Sequence, residues 1–179
     1  DLLDHLAVSL MENGWSTKEL IRKIMLSSTY RMSSTGLSGA VVVDPENKLF
    51  FRQNRRRLEA EAIRDSILTA AGGIDSTQQE GNQKRSIFLK IDRNRLPELF
   101  NVFDYPNPGV VSGNRNDSTV PTQALFMMNN QFVIKEARTT AERILSFDNM
   151  NDEERLIFTF KSCLGREPRE KEKSISLAY

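Results

Sequence analysis

The chain has 179 residues, of which 39% are hydrophobic and 27% charged, and its 25 Lys and Arg nearly balance its 24 Asp and Glu. This composition is ordinary for a globular domain, and it predicts a single domain over residues 1–179 with its own core. The charge balance excludes a general attraction to nucleic acid or to an anionic membrane, so any basic interaction has to be local. Because His5 and Cys163 are the only residues of their types, the chain forms no internal disulfide and no multi-histidine metal site.

Targeting and membrane signals are missing from the sequence. The apolar runs at 40–43 and 156–158 fall far short of the roughly 18–20 residues that a membrane-spanning helix needs. The chain starts at Asp1 without a methionine, and its pattern is unfinished at Tyr179. We therefore expect a fragment of a longer protein with no membrane span in this part, and its sequence leaves the localisation open.

The first third of the chain predicts a helical hairpin followed by irregular structure. Apolar residues at three-and-four spacing predict a helix over 1–12, and Ser16 with Glu19 forms a capping-box pattern that predicts a second helix after the Asn13-Gly14 turn. Residues 33–39 are small and polar, which predicts a loop. The run at 40–43 favours β structure, and we expect the apolar residues at 49–51 to pack inward.

The middle of the chain predicts one strong helix, one strand and one long loop. A helix is predicted over about 56–71 and ends at Gly72-Gly73. Alternation in RSIFLKID predicts a strand at 86–91, whose partner the sequence does not identify. A short helix through Phe103 precedes residues 104–121, which show no apolar period. Loops of this length are uncommon in compact domains and tend to be functional or disordered.

The last third predicts helices only. One contains residues 124–128, two more cover about 131–146 and 152–164, and another starts near Pro168. The predicted fold is therefore mainly α, a multi-helix domain with a small two-stranded β element and a long ordered polar loop.

Four arginines lie within residues 52–57, at the start of the 56–71 helix. Arginine clusters grip phosphates, but two glutamates and an aspartate follow within two turns and no aromatic residues suggest base stacking, which disfavours nucleic acid. Four charged residues lie on the polar face of the helix: Arg57, Glu61, Arg64 and Asp65. We favour a solvated or interdomain ion-pair network as the interpretation of that face. The alternative is a groove for an anionic or polyhydroxylated ligand, in which Arg55 and Arg57 donate hydrogen bonds and Glu61 and Asp65 accept them.

The 104–121 loop is rich in side-chain oxygen atoms of the kind that Ca²⁺ accepts. The residues concerned are Asp104, Asn107, Asn114, Asn116 and Asp117. Their spacing matches no EF-hand, and asparagine, glycine and proline are also turn formers. A structural loop that Arg115 pins to the rest of the domain is the favoured interpretation, and no metal site is assigned.

Several segments occur in an order that resembles a known family. They are STYR (28–31), DPENKLFFRQNRRRLEAEAIRD (44–65), RSIFLKIDR (85–93), FDYPNP (103–108), RNDSTVPTQALFMMN (115–129) and LGREP (164–168). Together they resemble the planctomycete-type domain of unknown function numbered 1553, over nearly the whole chain. The resemblance implies membership of large multidomain proteins that often carry a signal peptide, a cytochrome c-like domain and a second uncharacterised domain upstream, and it therefore implies export. The chain has no CxxCH motif, so we expect it to hold no cofactor itself.

The resemblance assigns no catalytic role to any residue. The polar residues that match its motifs are Arg55, Arg57, Glu61, Arg64, Asp65, Asp104, Asn107, Arg115, Thr119 and Gln123. Our leading hypothesis is a non-catalytic module that docks on another domain of its parent protein, or binds a glycan or polyanion, through the Arg57 face and the 104–121 loop. The alternative is an enzyme assembly acting on polysaccharides or in redox chemistry, with Glu61 or Asp65 as general acid or base.

Overall fold

The computed structural model describes residues 1–36, 38–75, 77, 81, 83–116 and 118–179, and the described chain is mainly helical. It separates into two compact units, residues 1–56 and 57–179. The prediction of one domain spans both units and stays a prediction. Among the described residues, no helix combines the length and the apolar character that crossing a membrane would require.

The described residues of the first unit form three helices: α1 (Leu2–Glu12), α2 (Thr17–Met25) and α3 (Ser38–Val43). The predicted start of α2 is confirmed, since the Ser16 hydroxyl accepts a hydrogen bond from the Glu19 amide at 3.3 Å. The β-prone run at 40–43 lies within α3. That expectation was wrong because β-branched residues favour strands only where a neighbouring strand supplies hydrogen bonds.

A closed turn follows α3. The Asp44 carboxylate accepts hydrogen bonds from the amides of Lys48 and Leu49, and Asn47 donates to the Arg52 carbonyl at 2.7 Å. This turn directs Leu49 and Phe50 outward, with 78% and 64% of their surfaces exposed. The expectation that they pack inward was therefore wrong.

The second unit contains six helices among its described residues: α4 (Ala60–Ala71), α5 (Glu98–Val102), α6 (Pro121–Asn129), α7 (Gln131–Leu145), α8 (Asp152–Leu164) and α9 (Glu170–Ala178). Its core is formed by Ala60, Leu99, Phe100, Phe103 and Phe126. The α4 helix packs along α7, and left-handed glycines end α4 at Gly72 and α8 at Gly165, as the sequence predicts.

The predicted two-stranded β element is absent from the described residues. The segment at 86–91 begins with a short 3-10 helix, Ser86–Phe88, and only isolated bridges join Asp75 to Lys84 and Asp92 to Arg95. The period of RSIFLKID suits a strand, but no described segment pairs with it, and Ile87 is 63% exposed. Half of the polar segment 75–84 before it, residues 76, 78–80 and 82, lies outside the described residues.

The C-terminal end of α4 is fastened by an arginine from α7. The Arg143 side chain donates to the carbonyl of Ala70 at 2.8 Å, and its guanidinium lies 5.7 Å from the ring centre of Phe158 on α8. A helix C-terminus carries unsatisfied carbonyls and partial negative charge, which a guanidinium compensates. Arg143 thereby holds α4, α7 and α8 together.

Candidate functional site

A cluster of polar side chains joins the start of α4 to the 104–121 loop. We call it the polar cluster, and it consists of Arg57, Asp104, Ser118, Thr119 and Gln123. Arg57 donates through Nη1 to the Ser118 carbonyl at 2.6 Å and to the Thr119 hydroxyl at 3.2 Å, and it lies 5.4 Å from the ring centre of Phe103. The predicted arginine face and the predicted loop therefore meet, across 61 residues of sequence.

Asp104 organises the loop side of the polar cluster. Its Oδ2 atom accepts hydrogen bonds from the Ser118 hydroxyl at 2.6 Å and from the Ser118 amide at 2.9 Å. These bonds, the hydroxyl first, hold the pKa of Asp104 below its ordinary value. Asp104 has a left-handed φ of 58°, a conformation that aspartate tolerates better than most residues.

Gln123 lies beneath the loop with only 2% of its surface exposed. Its Nε2 donates to the Val102 carbonyl at 3.0 Å, and its Oε1 accepts from the Val120 amide at 3.1 Å. The side chain thus joins the end of α5 to the start of α6. A buried amide with both ends bonded is a structural clamp.

Arg115 makes a second connection between the loop and α4. It forms a bidentate pair with Glu61, at 2.8 and 2.9 Å, and contacts Glu59 at 3.1 Å. The hydrogen bond to Glu61 raises the pKa of Arg115 above its ordinary value. Arg115 thus pins the loop through a carboxylate, in the arrangement that the sequence favours.

Arg64 and Asp65 form a separate group, beside the 3-10 helix. Asp65 accepts hydrogen bonds from the amide and the hydroxyl of Ser86, at 2.8 and 2.6 Å, while Arg64 donates to the Lys84 carbonyl at 3.0 Å. Burial lowers the pKa of Arg64, although the charges of Asp65 and Glu136 act in the opposite direction. This group holds the 84–86 backbone against α4.

Two of the residues singled out from the sequence join neither group. Arg55 belongs to the first unit, where its side chain is exposed. Asn107 accepts a hydrogen bond from the Gly109 amide at 2.8 Å, which is a local turn contact. The possible oxygen ligands of the loop form no group of three or more acidic residues within the described part of the chain, and Asp117 lies outside that part.

The acid/base hypothesis receives no support from these contacts. Glu61 is held by the bidentate Arg115, and Asp65 by Ser86 and Arg64. A general acid or base has to reach a substrate proton from a cleft. Neither carboxylate is among the residues that line the grooves described next.

Beside the polar cluster runs an apolar groove with a volume of about 520 Å³, between α4, α6, α7 and α8. Arg57 lies on its wall, and the apolar side chains on its wall include Ile63, Ile67, Val133, Ala137, Cys163 and Leu164. A second groove of about 460 Å³ shares Ala137, Thr140 and Cys163 with the first and extends to Leu145. We call the two together the α7 groove.

The sequence interpretation missed Glu136, which lies on the wall of this groove. It falls on the inward stripe of α7, three residues after Val133 and four before Thr140, where an apolar residue is expected. Only 8% of its surface is exposed. An acidic residue on an otherwise apolar stripe was the signal that could have identified it.

These features define a helical scaffold with an internally fastened loop and an apolar groove. Over residues 1–179 the chain matches the model of a family described as PSD1, a protein of unknown function (DUF1553). The chain belongs to this family, and the resemblance drawn from its motifs is confirmed. Searches of the curated proteins and of the solved structures gave no match.

Proposed function

We propose that residues 57–179 form a non-catalytic docking module, and that the α7 groove receives the apolar face of a helix from another protein domain. The observation that carries the proposal is the groove itself, whose wall is mainly apolar and partly open to solvent. Leu58 and Leu164 on its wall expose 57% and 59% of their surfaces. Apolar area of this kind on a folded surface is typical of a binding site.

The length of the groove favours a helix as the occupant. Its wall follows α7 from Val133 to Leu145, which spans about 18 Å at the rise of an α-helix. That distance matches roughly three turns of a second helix laid alongside, the usual form of helix-in-groove recognition.

The polar cluster contributes by keeping the groove wall in place. Arg57 and Arg115 direct their hydrogen bonds to the loop and to Glu61, which makes them fasteners of the 104–121 segment. Binding of a glycan or polyanion would have to displace these contacts. We therefore propose docking in preference to polyanion binding, with the polar cluster as its support.

Cys163 offers a direct test, because it is the only cysteine, is exposed and lies on the groove wall. The probe is a synthetic amphipathic helix of about five turns, with leucine and one central norleucine on its apolar face. We expect this norleucine peptide to slow the alkylation of Cys163 by N-ethylmaleimide in the full chain.

A matched pair of variants tests where the peptide binds. Ala137→Arg places a charged side chain in the groove, whereas Ala124→Arg makes the same change at an exposed position of α6 that lines neither part of the α7 groove. We expect the peptide to protect Cys163 in Ala124→Arg but not in Ala137→Arg, with unchanged far-ultraviolet circular dichroism in both variants. Equal protection in Ala137→Arg would contradict docking, and so would absence of protection in the unsubstituted chain both by this peptide and by its lysine version introduced below.

A further inference from the structure

Glu136 places a carboxylate on the wall of the α7 groove without a matching donor. Its side chain is nine-tenths buried, with 10% of its surface exposed, and its nearest cation is Lys135, whose Nζ lies 3.7 Å away and is itself 78% exposed. Among the described residues, no donor makes a hydrogen bond to this carboxylate. Its oxygen atoms keep some contact with solvent, since they are not among the fully buried side-chain atoms that lack a hydrogen bond. A docked partner would remove that contact, and a buried carboxylate is costly unless it is paired and hydrogen-bonded.

The neighbouring arginines do not supply such a bond. Arg57 directs its bonds to Ser118 and Thr119, and Arg64 donates hydrogen bonds to Lys84, Ser86 and Asp65. The groove thus has an apolar wall with one negative group that accepts no hydrogen bond from the described residues and still reaches solvent. A ligand that filled the groove with apolar groups alone would bury this carboxylate further and would leave it unsatisfied.

We infer that the occupant of the α7 groove is a helix that carries a lysine or arginine within its apolar face, placed to pair with Glu136. This inference rests on the proposed docking function and adds the chemistry by which the partner is selected. The cation would satisfy the carboxylate on docking, while aliphatic neighbours fill the apolar wall. Specificity would follow, because a wholly apolar helix leaves the carboxylate buried and unpaired.

The experiment compares two peptides that differ at one position. The norleucine peptide described above is paired with a version carrying lysine at the central position, and the affinity of each is measured from the protection of Cys163. We expect the lysine peptide to bind the full chain about tenfold more tightly, the size of one charge-assisted hydrogen bond.

Two variants assign that preference to one carboxylate. Glu136→Gln should remove the preference for lysine, while Glu142→Gln, the same change at an exposed position of α7, should leave it intact. A merely structural role of Glu136 would change both peptide affinities equally. Only recognition of the cation by Glu136 changes the ratio of the two peptide affinities.

Each remaining outcome has a distinct meaning. Equal binding of the two peptides, or a lysine preference that survives Glu136→Gln, overturns the cation inference while docking stands. Lack of protection by either peptide overturns docking and this inference together. Protection by decylamine, with none by either peptide, would identify a site for small amines and would likewise overturn the docking of a helix.

Discussion

The clamp formed by Gln123 gives the sharpest test of how the loop is held. Gln123→Leu keeps the approximate size and the burial of the side chain but removes both hydrogen-bonding groups. The Val102 carbonyl and the Val120 amide, now bonded at 3.0 and 3.1 Å, would lose their partner. Nothing in an apolar side chain replaces these bonds.

The expected loss of stability follows from the two backbone groups that lose their hydrogen-bond partner. Each unsatisfied buried group costs about 1–3 kcal/mol, and the apolar leucine recovers about 1–2 kcal/mol. For two such groups we therefore expect the free energy of unfolding to fall by a net of about 0–5 kcal/mol, with a central value of about 2.5 kcal/mol. The weaker contacts of Gln123 with Ser118 and Asp104, at 3.4 and 3.5 Å, add little.

Urea unfolding followed by far-ultraviolet circular dichroism measures this loss. Gln131→Leu is the matched control, because Gln131 is an exposed glutamine at the start of α7, and we expect it to change stability by less than about 0.5 kcal/mol. If Gln123→Leu is as stable as that control, the clamp does not hold the loop, and the reasoning from its hydrogen bonds is refuted.

Three further predictions concern other parts of the second unit. Gly72→Ala adds a Cβ 2.8 Å from Arg143 at a φ of 73°, and it should lower the free energy of unfolding in urea by about 1–3 kcal/mol. Gly113→Ala, with open space around it, should leave stability unchanged. Equal stability of the two variants would contradict the account of how α4 ends. The pKa of Glu172 is lowered to about 2 by hydrogen bonds from Arg166 and then from the Arg169 amide. The contribution of Glu172 to stability is therefore complete above about pH 4.5 and is lost as the pH falls toward 2. Carboxyl NMR titration should show this low pKa, and Arg166→Gln should raise it; an unchanged pKa would exclude Arg166 as the main cause. Arg115→Ala removes a partly exposed ion pair with Glu61 and should lower the global free energy of unfolding by only about 0–1 kcal/mol. Amide hydrogen exchange in the 104–121 loop should nevertheless become faster. Equal exchange rates with and without the substitution would show that Arg115 does not pin the loop.

Local signals in the sequence determine much of the helical framework. Ser16 starts α2 because its hydroxyl accepts a hydrogen bond from an amide only three residues away, and Gly72 and Gly165 end their helices because glycine adopts positive φ without steric cost. The ordered motifs were also sufficient to identify the family. All of these signals lie within a few residues or in the order of the motifs, so they can be read without coordinates.

Only the tertiary structure decides features that depend on distant partners. The segment RSIFLKID has the period of a strand, but Asp65 bonds Ser86 from 21 residues away and no described strand lies beside it. Arg57 donates a hydrogen bond to Ser118 across 61 residues, so this one arginine of the cluster fastens the loop. The burial of Glu136 likewise results from helices that pack around it, and a local sequence pattern does not determine those contacts.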